Sequence, residues 1–294
     1  MPQLRIFQVD AFTTRALTGN PAAVVLDAES LAEPQMRAVA RELNTGDTAF
    51  VLPPDDTDHD LRVRFLTRHG EAAFVGHATL AVHAVLSWLD LTPRPRQKQR
   101  SGIVQVDRLS GGPAPRFAVQ QPAPQLLGAP SPEALGRILE ALCLSPAALD
   151  PRCPPRIAGA SGTRLLLGLK HASSLAQIRP DMSRIAEISR QIDAPGIFVF
   201  SLAPTLPDVQ TEARMFCPAL GIPEDPVSGN AHALLGVYLH KLGLLAAAGF
   251  IGAQGHHMER PGQVEIRLQS EAGELRAVSI IGQAALAFAT TLTL

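Results

Sequence analysis

Two short runs place a glycine and a hydrogen-bonding side chain at the mouth of an apolar helix. The first reads Val75-Gly76-His77-Ala78-Thr79-Leu80-Ala81, the second Ser228-Gly229-Asn230-Ala231-His232-Ala233-Leu234. Each opens an apolar stretch of about four turns. At one common offset Gly76/Gly229, Ala78/Ala231, Leu86/Leu239, Leu89/Leu242 and Leu91/Leu244 coincide. Unpaired N–H groups and the helix dipole both favour an anion at such a start. Gly76, His77, Ser228, Gly229 and Asn230 are therefore candidates for holding a substrate carboxylate. Two acids are candidates for proton transfer. Asp225 precedes Pro226, and the proline restricts it to extended angles, which fixes where its carboxylate points. Asp47 lies between Asn44-Thr45-Gly46 and an apolar strand, where Asp is also an ordinary turn residue. An acid beside a site that stabilises a carboxylate is what proton removal from a neighbouring carbon needs.

Other chemistries find less support. His83, His240 and the pair His256-His257 read as structural or surface residues, and His232 lies just inside the second helix. No H-E-x-x-H or C-x-x-C is present, so no metal site is expected. The absence of G-x-G-x-x-G and G-x-x-x-x-G-K-[ST] removes support for a nucleotide cofactor. There is no G-x-S-x-G elbow; Ser161-Gly162 and Ser228-Gly229 are the serines in suggestive turns. Cys217, on a strand before Pro218, reads as a packing residue.

Two similar halves must position these groups. A strand with a central arginine precedes each helix, Arg64-Phe65-Leu66 and Arg214-Met215-Phe216, and acids follow each strand, Glu71 and Glu224-Asp225. Strands are expected at Leu4–Phe12, Ala22–Leu26, Thr48–Leu52 and Leu61–Leu66. A helix with Met36, Val39, Ala40 and Leu43 on one face is expected after a capping box at Ser30–Glu33. The two Gly-led helices are expected from Gly76 and Gly229. Arg94–Arg100 reads as a surface connection, and Ile103–Val106 with Arg116–Gln120 as a hairpin. Gln121-Pro122-Ala123-Pro124 is the expected domain junction. Ser131 and Asp181 open further helices. Thr163–Leu169, Gly196–Leu202, Glu212–Phe216 and Val264–Leu268 read as strands, as do Leu275–Ile281 and Ala285–Leu294. Strands and helices mix without strict alternation, which indicates α+β.

Composition narrows the classes. The 294 residues are 46% hydrophobic and 18% charged, as in globular proteins. With 26 Lys+Arg against 27 Asp+Glu, no overall field favours nucleic acid. No apolar run reaches the roughly 20 residues of a membrane span. The three cysteines and an N-terminus without a signal-peptide pattern fit a cytoplasmic protein.

The runs Phe7-Gln8-Val9-Asp10-Ala11-Phe12-Thr13, Gly19-Asn20-Pro21-Ala22-Ala23-Val24-Val25, Ala40-Arg41-Glu42-Leu43-Asn44, Thr48-Ala49-Phe50-Val51, Gly76-His77-Ala78-Thr79, Met215-Phe216 and Glu224-Asp225-Pro226-Val227-Ser228-Gly229-Asn230-Ala231 resemble, in order, the PhzF-like family of phenazine-biosynthesis isomerases. That family falls in the diaminopimelate epimerase and proline racemase superfamily. The resemblance implies two pseudo-symmetric halves, residues 1–120 and 121–294, with the last strand, about 284–294, packing back on the first. Each half would be a curved, mostly antiparallel sheet or barrel around a central helix, with the active site in the cleft. It further implies a homodimer and a cofactor-independent isomerase of a small carboxylic acid. Asp47, His77 and Asp225 would be catalytic. An amino- or hydroxy-acid epimerase, racemase or dehydratase, or a carboxylate-binding protein without catalysis, are the alternatives on the same scaffold. Three departures stand out. The family's acid is usually Glu in Asn-x-x-Glu-Thr, and Asp47 is shorter by a methylene, about 1.5 Å. Asn230 falls where the isomerase that names the family has Ser. The prolines usual near Arg68-His69-Gly70-Glu71 are missing. No cysteine stands beside either helix start, which excludes the two-thiol chemistry of the epimerase relatives.

Overall fold

The computed structural model describes residues 3–67, 70–159, 162–245 and 248–294. Arg68, His69 and Ser161, singled out above, lie outside the described residues. The chain divides into two compact units, residues 1–121 with 280–294, and residues 122–279.

In chain order the first unit runs β1 (Gln3–Ala11), β2 (Asn20–Leu26), α1 (Glu33–Leu43), β3 (Asp47–Leu52), β4 (Leu61–Thr67), β5 (Gly70–Ala72), α2 (Gly76–Trp88), β6 (Arg96–Gln99), β7 (Gly102–Ser110) and β8 (Arg116–Pro122). The second runs β9 (Gln125–Leu126), α3 (Pro132–Ala141), β10 (Arg156–Gly159), β11 (Thr163–Leu169), α4 (Met182–Gln191), β12 (Gly196–Ser201), β13 (Thr211–Cys217), β14 (Ile222–Asp225), α5 (Gly229–Lys241), β15 (Gly249–Gln254) and β16 (Gly262–Glu271). The last strand, β17 (Glu274–Thr293), begins in the second unit and ends in the first.

The first unit is a mixed barrel. β17, β1 and β2 pair antiparallel, β2 and β3 parallel, β3 and β4 antiparallel, β4 and β6 parallel, and β6, β7 and β8 antiparallel. Pairing of β8 with β17 closes the ring at eight strands. α2 packs on β1, β2 and β3 and is buried without a break from Ala78 to Leu86. A helix apolar on every side is stable only when enclosed, and the barrel supplies the enclosure. α1 is amphipathic by contrast, and Met36, Val39 and Ala40 pack with Leu4, Ile6, Val25, Phe50 and Leu66.

The second unit repeats the pattern. β9, β10 and β11 pair antiparallel, β11 and β12 parallel, β12 and β13 antiparallel, β13 and β15 parallel, and β15 and β16 antiparallel. α5 is buried from Ala231 to Leu239. α3 and α4 cover the other face, where Ile138, Ile185 and Ile188 meet Leu165, Leu167, Ile197 and Val199.

Three expectations need correction. Ser30 does not cap α1; it sits in the turn closed by Leu31 N–H donating to Ala28 O. The helix begins after Ala32, whose N–H donates to Gln35 Oε1 at 2.9 Å. Arg94–Arg100 is not only a surface connection, because it contains β6. Arg96 and Lys98 face outward to Asp60 and Asp55, while Gln97 and Gln99 are buried, with Gln97 Nε2 donating to Gln99 Oε1 at 3.0 Å and to Thr79 Oγ1 at 3.2 Å. Buried amides in place of apolar residues hid the alternation. The last two strand-like runs are one continuous strand, β17.

Candidate active site

The expected site residues fall into two sets, one in each unit. In the first, α1 ends on Asn44 in the left-handed region, φ +49. Gly46 then takes φ +87, a conformation that favours glycine, and Asp47 starts β3. The backbone turn thus delivers the carboxylate to the strand's first position, paired with Ala22. His77 stands in the first turn of α2, and its Nε2 lies 3.4 Å from Asp47 Oδ2. Both side chains are mostly buried, 12% exposed for His77 and 14% for Asp47. Burial pushes the Asp47 pKa up from 3.8 to about 6, because desolvation penalises the anion. The acid is therefore poised to exchange a proton near neutral pH. Val75, the residue before α2, has no side-chain oxygen for the first-turn N–H groups. The first helical bond is Thr79 N–H to Val75 O at 2.9 Å, so the Gly76, His77 and Ala78 amides precede the ladder.

In the second unit, β14 ends on Asp225 opposite Met215. Ser228 caps α5, its hydroxyl accepting from Ala231 N–H at 3.4 Å, so its side chain is committed to starting the helix. Gln254 holds this turn: its Oε1 accepts from Ser228 N–H at 3.0 Å and its Nε2 donates to Asp225 O at 2.7 Å. Gly229 is buried, and Asn230 presents a buried Oδ1 that has no hydrogen-bond partner among the described residues. His232 is structural. Its Nδ1 lies 2.8 Å from Ser228 O, its ring packs edge-on to Phe198, and burial lowers its pKa to about 4. Cys217 is buried on β13.

Glu71 and Glu224, read as loop acids near each helix start, serve another purpose. Arg64 Nε and Nη2 donate to Glu71 Oε1 and Oε2 at 3.0 and 2.7 Å. Arg214 does the same to Glu224 at 2.9 and 2.8 Å. Each two-pronged pair ties the strand before the turn to the strand leading into the helix. Asp225 is left as the acid of the second set. Sequence reasoning missed Gln254. Gln254 gives no local signal, whereas Arg164 is a lone charge in the apolar run Thr163–Leu169.

Among the described residues no group of three or more His, Cys, Asp or Glu is placed to hold a metal ion, and no helix is long and apolar enough to cross a membrane.

A mixed α+β chain with a barrel closed around a buried helix is the architecture of the epimerase-like fold. The family model described as phenazine biosynthesis-like protein matches residues 9–290, and the chain belongs to this family. An uncharacterized isomerase, CA_C3446 of Clostridium acetobutylicum, is 32% identical over 296 residues, covering 98% of each chain. The crystal structure of a PhzF-family phenazine biosynthesis protein from Bacillus anthracis superposes with a TM-score of 0.89 at 22% identity, over 100% of both chains. A probable proline racemase from Agrobacterium radiobacter K84 shares the fold at TM-score 0.65 and 13% identity, covering 99% of this chain and 93% of that one.

Proposed function

We propose that this chain is an isomerase of the PhzF type, acting on a small carboxylic acid by acid–base transfer of a proton at carbon and needing no cofactor. The observation that carries this reading is the Asp47–His77 pair at the start of α2, with a buried acid whose pKa is raised to about 6. Asp47 takes the proton from carbon, and the C–H electron pair passes into the adjacent π-system. The same carboxyl, now protonated, returns the proton to another carbon of that system. Negative charge that builds on the substrate carboxylate is stabilised by first-turn amides. Gly76 in the first unit, and Gly229 and Asn230 in the second, are assigned to substrate binding, with Ser228 fixing the helix start that presents them. His77 and Asp225 orient the substrate and share the proton. The name of the Clostridium acetobutylicum relative supports the reaction class. A cytoplasmic location and a homodimer belong to the same reading; the first rests on three cysteines without a C-x-x-C, the second on the family resemblance.

The test is deuterium uptake from D2O into a panel of small carboxylic acids, read by mass spectrometry. The wild-type protein is expected to exchange at least one of them. Asp47→Asn is expected to lower that exchange by about 10²-fold or more, the typical contribution of a general base. Undiminished exchange by Asp47→Asn would remove Asp47 from the role.

A further inference from the structure

Arg164 is a charged residue inside an apolar strand, and the fold makes room for it. It lies on β11 beside Gly196 of β12 in the parallel pair. Its neighbours Leu165 and Leu167 point into the core under α3 and α4, so alternation puts Arg164 on the opposite face. Phe198 is on that face too, and it packs against His232 of α5. The arginine's shaft lies over Gly196. A Cβ there would sit 2.6 Å from Arg164 Cδ, 2.9 Å from its Nε and 2.5 Å from Met215 Cε. A side chain at 196 would displace the guanidinium.

The guanidinium is only partly used. Nη1 donates to Thr163 O at 2.7 Å, and Nε is buried with no hydrogen-bond partner among the described residues. Burial lowers the Arg164 pKa, and the acid whose charge favours its cationic form is Asp225. A buried cation without full pairing is costly, and such groups persist where they do something.

The internal repeat says what that is. Arg64 pairs with Phe50 on β3, and Arg214 pairs with Val199 on β12. Matching these arginines places Gly196 at the position of Asp47, and Arg164 at the position of Ala22, which pairs with Asp47. One unit carries a carboxylate opposite a small residue; the other carries a guanidinium opposite a glycine. Asp225 in turn matches Ala72, each pairing with the residue after its arginine. At the matched strand pair one unit thus carries a carboxylate on one strand and the other a guanidinium on the partner strand.

We propose that Arg164 binds an anionic group of the substrate, a carboxylate accepting from its terminal N–H groups, and so sets the preference for substrates with an acidic group there. The inference rests on the isomerase reading for its substrate, but its test does not depend on turnover. Malonate serves as the probe. In the intact wild-type protein, malonate is expected to shift the NMR resonance of the Arg164 Nε–H, assigned by its loss in Arg164→Lys. Arg164→Gln is expected to weaken malonate binding at least 10-fold by calorimetry, and Arg164→Lys by less, since an ammonium cannot offer the planar fork. Asp47→Asn is expected to bind malonate at least as tightly as wild type. An unmoved Nε–H at high malonate, a wild-type protein that does not bind malonate, or an Arg164→Gln protein that binds it unchanged would each overturn the proposal. If Asp47→Asn keeps deuterium exchange while Arg164→Gln loses malonate, the base assignment falls and Arg164 stands. The reverse pattern removes Arg164 alone.

Discussion

Asp47 is destabilising in its ionised form, and that has a measurable sign. Its folded pKa of about 6 lies above the ordinary 3.8. Between about pH 4 and 6 the folded state holds more protons than the unfolded chain, so this group makes stability fall as pH rises through that window. Above it the penalty is complete, about 2–3 kcal/mol for a shift of this size. Most carboxylates act in the opposite direction. Asp47→Asn is therefore expected to raise stability by about 2 kcal/mol at pH 7.5 and to leave it little changed at pH 4. Urea unfolding at both pH values checks this; an equal effect at the two would show that burial does not set the charge. The acid's place at the end of a turn is visible in Asn44-Thr45-Gly46-Asp47. Its contact with His77 is not, because residues distant in the chain meet only through the β2–β3–α2 packing. The site role of Asp47 is carried by the family resemblance, whereas Arg164 shows in the sequence only as a lone charge in an apolar strand.

At the scale of elements, the arginine–glutamate pairs hold the turns that launch α2 and α5. Arg214 and Glu224 are 10% and 13% exposed, and Arg214 Nη1 also donates to Leu175 O at 2.9 Å. Removing one partner leaves a buried charge unpaired, at a cost of about 3–5 kcal/mol. Arg214→Ala is expected to show a loss of this order in chemical denaturation. Arg5 and Asp27 make a shorter contact, 2.6 Å, but are 50% and 41% exposed, and Arg5→Ala is expected to cost about 1 kcal/mol or less. Similar losses for the two would mean that burial is not what gives the inner pair its strength. These elements were the most legible in the sequence. An arginine in a strand, an acid and a Gly-led apolar helix recur in order, and the apolar periodicity of α2 and α5 needs no long-range information. β6 is hidden in the sequence because Gln97 and Gln99 put amides at its buried positions, and β5 and β14 are too short for periodicity to register.

At the scale of the molecule, the first unit is discontinuous in sequence. Residues 280–294 belong with residues 1–121, and β1 pairs with β17 from Gln3–Thr293 to Ala11–Ala284. A chain ending at residue 279 lacks most of the strand that closes the first barrel, leaving β1 with an open edge. Such a truncation is expected to lose protection of the β1 and β2 amides in hydrogen exchange and to expose residues 1–121 to proteolysis. Retained protection there would show that β17 is dispensable. The Pro-rich run at Gln121–Pro124 spans the end of β8 and the point where the first unit's leading segment ends. The single span of β17 was read as two runs, since Gly282 interrupts its apolar alternation.

The central claim is that Asp47 moves the proton. The most direct measurement is the pH dependence of deuterium exchange into a substrate identified from the carboxylic-acid panel. The wild-type rate is expected to rise through an apparent pKa near 6 as Asp47 ionises, and Asp47→Asn is expected to abolish that rise along with the exchange. Exchange by Asp47→Asn at the wild-type rate, with the same pH profile, would contradict the account.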